Sequence, residues 1–150
     1  MTEITSEAEF RQALEGLDAG QQRAVAALFV QHVLALSTDE RIARVTRVAA
    51  ETGASGDELA DALRIARAAT FDAHTRCGSE GDWSSQAGYF VARAAVAALT
   101  PVGQVPGDPA WQAAMASRMA LTSKAIAAGD HSAEQESREQ FRILSDYLNS

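Results

Sequence analysis

The chain is poor in the residues that staple a fold or anchor it to a membrane. Cysteine occurs once and proline three times in 150 residues. With Cys77 alone there is no intramolecular disulfide, and a structural zinc site would lack its soft ligands. No run approaches the roughly 20 apolar residues that a membrane helix needs. The opening MTEITSEAEF is acidic and has no apolar centre, so it does not read as a secretory signal. These absences lead to the expectation of a cytoplasmic protein without membrane contact. Bases are also in the minority, 13 against 20 acids, giving a net charge of -7. Such a surface repels nucleic-acid phosphate. It suits a basic protein partner, whose approach it would steer. Runs of β-branched residues are missing too, which argues against strands.

What the chain has in abundance is alanine, with apolar residues at helical spacing. The expected class is all-α: a compact, single-domain bundle of about seven mostly antiparallel helices spanning residues 1–150. Ser6 with Glu9 forms a capping box for a first helix carrying Phe10, Leu14 and Leu17. Asp18 caps a second, whose stripe is Val25, Leu28, Phe29, His32 and Leu36. Thr38 is the expected cap of a third, with Ile42, Val45 and Ala49 inward. Ser55 and Glu58 open a fourth, on which Leu59, Leu63, Ala66, Thr70, Ala73 and Cys77 step as a heptad seam to a stop at Gly78. Asp82 caps a fifth, burying Trp83, Ala87, Phe90, Ala94 and Ala98. Asp108 and Pro109 start a sixth, with Trp111, Met115, Met119, Thr122 and Ile126 inward and Gly129 as its stop. Ser132 and Gln135 open a last helix with Phe141, Leu144 and Leu148. Small residues such as Ala87, Ala94 and Ala98 predict close helix axes in a centre made of the fourth, fifth and sixth helices.

Residues able to carry chemistry are few. His74 and Cys77 are three apart on one helix, but a metal would want further ligands. His32 and His131 stand alone, and no Glu-x-x-His pair occurs. Neither a Gly-x-Ser-x-Gly elbow nor a Gly-rich phosphate loop is present. No catalytic residue, cofactor or metal is therefore assigned. His32 and Arg118 interrupt apolar stripes, and a buried arginine needs a carboxylate such as Asp72 or Asp61. With His74 and Tyr89 they are the candidate lining of a pocket. Glu80, Asp82, Trp83, Glu134 and Glu136 are the candidate partner-binding residues, although the bulk of Trp83 favours its burial. A Glu134–Arg138 pair at i,i+4 fits a solvated face.

The segments QQRAVAALFVQHVLAL (21–36), ALRIARAATFDAH (62–74) and AGYFVARAAVAAL (87–99) resemble small all-α immunity proteins of bacterial polymorphic toxin systems. The chain departs from them at Phe29–His32, where they carry Cys-Ala-Glu-Arg, and at Tyr89, Phe90 and Arg93, where they carry further histidines. The resemblance implies a protein that neutralises a cognate toxin, often a basic nuclease, by occlusion. The residues alone leave three functions open. One is a protein-binding module using an acidic patch. Another is a small-molecule-binding or enzymatic domain with a pocket among the central helices. The last is a homodimer whose seam a second copy completes.

Overall fold

Local signals decide where each helix begins. In the computed structural model the described residues are 2–80, 82–104, 107–128 and 133–150, the side chains at 77–80, 127–128 and 133–134 excepted. The Ser6 hydroxyl accepts from the Glu9 amide at the start of α1 (Glu7–Glu15). Asp18 and Gln21 complete a reciprocal capping box on α2 (Ala19–Val33), which ends in a single 3-10 turn, Leu34–Leu36. Asp39, one residue beyond the expected Thr38, caps α3 (Glu40–Ala50). Ser55 and Glu58 bond reciprocally at the start of α4 (Gly56–Glu80). Asp82 accepts from Ser85 to cap α5 (Trp83–Leu99). Next come α6 (Pro109–Ala128) and α7 (Ala133–Leu148). The fourth helix thus continues past its expected stop at Gly78. The side chain of Cys77 and the expected punctuation at Gly129 and Ser132 lie outside the described residues, as does His131.

The chain is all-α, a bundle of seven α-helices with no strand among the described residues. α5 packs most extensively against α6 and next against α4. Small side chains allow this. Ala87, Ala94, Ala95 and Ala98 of α5 and Ala110, Ala113, Ala114 and Ala120 of α6 are all buried. Without branches between them, the two backbones can approach closely. On α4 the expected seam does face inward, through Leu63, Ala66 and Ala73.

At the other end of the bundle the core is aromatic. Phe10 is fully buried and meets Phe29, Trp111 and Phe141 with ring centroids 5.3–6.2 Å apart. Gln22 ties three helices there: its amide donates to Leu14 O, and its carbonyl accepts from Ala110 N at 3.0 Å. Arg41 reaches both Asp39 and Asp72, 2.6 and 2.9 Å away, linking α3 to α4 and holding the Asp39 carboxyl below its usual range. The termini meet: Asn149 Nδ2 donates to Thr2 O, and Thr2 N donates to Asn149 Oδ1.

Three burial expectations are corrected. Trp83, Met119 and Ile126 are 43, 47 and 48% exposed. On α6 the inward face belongs to alanine and serine, because α5 approaches too closely to leave room for long side chains. Ala113→Leu should therefore overpack the α5–α6 contact. The expected loss is about 1–3 kcal/mol, read from the urea midpoint, whereas Ala116→Leu at the edge of that contact should cost clearly less.

Candidate binding face

Two places gather polar or aromatic groups. The first is an internal relay that begins on α2 and ends on α1. His32 Nε2 is 3.0 Å from Glu136 Oε2. Gln140 Nε2 donates to Glu136 Oε1 at 3.3 Å and to Ala114 O at 2.9 Å. Arg118 Nε donates to Gln140 Oε1 at 2.8 Å. Arg118 Nη2 comes within 2.8 Å of Glu7 Oε1 but lacks hydrogen-bond geometry to it, while the guanidinium lies 5.4 Å above the Phe10 ring. A half-buried cation held by an amide, a carboxylate and a ring face is a structural solution to the cost of desolvation.

This relay corrects several expectations. Arg118 finds Glu7 and Gln140, not Asp72 or Asp61, which pair with Arg41 and Arg64. His32 is no member of an apolar stripe; its side chain is 32% exposed at the edge of α2, facing α7. Glu136 is 3% exposed and cannot belong to a surface patch. Burial pushes its carboxyl above the usual 4.5, with His32 and Gln140 opposing that rise. His32 and Arg118 thus belong to this relay, while His74 meets Tyr89 between α4 and α5.

The sign of the Glu136 effect follows from proton linkage. A carboxyl whose folded pKa is raised binds more protons when folded, so its contribution to stability is lost as pH rises above about 4.5. Glu9, Asp39 and Glu139 are shifted down and act in the opposite sense. Glu9 and Asp39 cancel when two variants are compared, whereas the Glu139 charge acts on Glu136 directly and is one of the causes of its rise. Glu136→Gln should therefore gain on the wild type between pH 4 and pH 7, with the difference read from urea midpoints at each pH.

The second place is on the surface. Arg67 and Thr70 of α4, Arg93 and Val96 of α5, Thr100 just after it, and Gln112 of α6 line an open groove of about 530 Å³. Along α5 the groove continues into an aromatic row. Arg93 lies 5.8 Å from the Tyr89 ring, and Tyr89 meets His74 at 5.4 Å and Phe90 at 5.2 Å. Helical spacing puts Phe71 one turn from Arg67 on the α4 ridge, and Met119 and Ile126 on the α6 ridge beyond Ala116. Phe71 is 70% exposed. Among the described residues, four of the five large exposed hydrophobics, Phe71, Trp83, Met119 and Ile126, thus come from the three helices that build this groove.

The candidate residues divide accordingly. His74 and Tyr89 do come together, beside a groove among the central helices. Asp82 is exposed and serves as the cap of α5, next to the exposed Trp83. The side chains of Glu80 and Glu134 lie outside the described residues, so the 134–138 pair does as well. Arg67, Phe71, Arg93 and Met119 were missed. For Arg93 and Met119 a signal was present in the sequence, since none of the 20 acids falls within α5 or α6; for Arg67 and Phe71, on the acid-bearing α4, it was not. A cavity of about 540 Å³ between α2, α4 and the start of the loop after α5 is apolar but for Arg23, Thr100 and Gln104. Arg23 is committed there to Ala49 O and Glu51 O at the end of α3. Among the described residues, no group of three or more His, Cys, Asp or Glu could hold a metal, and no helix is long and apolar enough to cross a membrane. No protein-family model, curated protein or solved structure matches the chain.

Proposed function

We propose that this protein is a binding module that docks another protein on the face built by α4, α5 and α6. One observation carries the reading: among the described residues, four of the five large exposed hydrophobics lie on the helices that build the groove, with Phe71 and Met119 on its two ridges by helical spacing. Exposed apolar side chains gathered around a groove, with polar groups beside them, are the usual form of an interaction site. The groups of the relay are paired with one another. The narrower form of the proposal is an immunity-type protein acting in the cytoplasm, which covers a cognate toxin without chemistry. Its support is the resemblance of the central helix pair, 62–74 and 87–99, which contributes Arg67, Phe71 and His74 to this face; Tyr89 and Arg93 are positions at which the chain departs from that family.

The small-molecule alternative is favoured by one feature, the groove volume of about 530 Å³. That volume is within the usual ligand range. Phe71 and Met119 stand outside the groove, however, and a ligand of that size would leave them in water.

The test is affinity capture from the source cell's lysate with the wild type and with the double variant Phe71→Ser, Met119→Ser. A stoichiometric partner held by the wild type should bind the variant at least tenfold more weakly, while the thermal midpoint moves little because both residues are exposed. Equal retention by both would remove this face as the docking surface.

A further inference from the structure

The charge of the docking face is opposite to that of the whole chain. The net charge is -7, yet α5 and α6 contain no acid at all. Two cations, Arg67 and Arg93, line the groove that these helices form with α4. Neither has an ion pair with a carboxylate among the described residues. Elsewhere several arginines are paired with acids: Arg11 with Glu15, Arg41 with Asp39 and Asp72, Arg64 with Asp61, Arg118 with Glu7, and Arg142 with Glu139 and Asp146, while Arg44 and Arg47 of α3 make no such pair among the described residues. Acids were therefore available to this fold, and they pair arginines on other faces.

From this we infer that the groove seats an acidic, amphipathic helical segment of a partner protein, whose carboxylates meet Arg67 and Arg93. The inference rests on the docking reading above and adds the chemistry of the partner. A guanidinium offers a planar fork of donors that fits a carboxylate with two parallel hydrogen bonds. Arg93 leans toward the Tyr89 ring, which orders its side chain before a partner arrives. The groove floor, Val96 and Ala97, is low between the α4 and α6 ridges and accepts apolar side chains. The floor helix is 17 residues long, about 25 Å at 1.5 Å per residue. That length suits a partner helix laid along it, apolar side down, in the helix-in-groove mode. A basic segment, which net charge alone would favour, would meet two unscreened guanidinium groups here. A small anion would satisfy the arginines and leave Phe71 and Met119 uncovered.

The experiment uses the full chain and two synthetic amphipathic helical peptides of 18 residues. Both carry leucine and alanine on one side; the other side is glutamate in one peptide and lysine in its counterpart. Binding is followed by fluorescence anisotropy of the labelled peptides and by amide chemical shifts of the protein. The glutamate peptide should bind saturably, at least tenfold more tightly than the lysine peptide, more weakly as salt rises, and with shifts confined to α4, α5 and α6. Arg67→Glu with Arg93→Glu should reverse that preference without unfolding the chain, since both side chains are exposed, and circular dichroism checks the fold.

Lysine-peptide binding on the same face, lost in Phe71→Ser, would overturn the acidic partner and leave the docking reading standing. No saturable binding of either peptide to this face would overturn both. Dimerisation of the protein alone, abolished by Arg93→Glu in sedimentation velocity, would overturn the partner in favour of a second copy.

Discussion

The close contact of α5 with α6 is the constraint from which the rest of the structure follows. It requires small side chains on both helices, and the buried faces supply alanines: Ala94, Ala95 and Ala98 on one, Ala113, Ala114 and Ala120 on the other. Two helices at short range leave no space between them for Met119 or Ile126, which turn outward. α4 then packs on the other flank of α5, and the outward side of α5 becomes the floor of a groove between two ridges. Stability and the candidate site therefore share one cause. The residues that could not be accommodated in the tight seam form part of the surface that is offered.

The polar relay handles the opposite end. α7 must cover the aromatic cluster around Phe10, yet the stripe that does so contains Glu136 and Gln140 as well as Leu144. Burying these groups is tolerable because they satisfy one another and Arg118 in a single chain of contacts. Removing one partner would leave another buried and unpaired, which costs more than the net worth of the pair. The relay joins α1, α2, α6 and α7, the same four helices whose aromatic rings meet around Phe10.

Much of this architecture was legible from the chain. Capping chemistry is local, so Ser6, Asp18, Ser55 and Asp82 announced four helix starts without any tertiary knowledge. The heptad seam of α4 was legible for the same reason. What escaped were questions of which side faces what. α6 has apolar residues nearly all round, so its periodicity does not decide between alanine and methionine as the inner face; only the proximity of α5 does. Glu136 was read as solvated because its neighbours are acidic, although stepping back from Leu144 by four and eight residues leads to Gln140 and Glu136 on the inner side. Arg118 was recognised as needing a partner, but Glu7 is more than a hundred residues away in sequence and nothing local selects it.

The central claim is that the face of α4, α5 and α6 is where a partner docks. A photo-reactive amino acid placed at Ala97 on the groove floor, with Glu40 on α3 as the control position, examines it inside the living source cell. The account predicts a discrete adduct from position 97, absent from position 40, in which the crosslinked partner peptide is acidic. Adducts from position 40 alone would contradict it, and a basic peptide from position 97 would overturn the acidic partner while leaving the docking face standing.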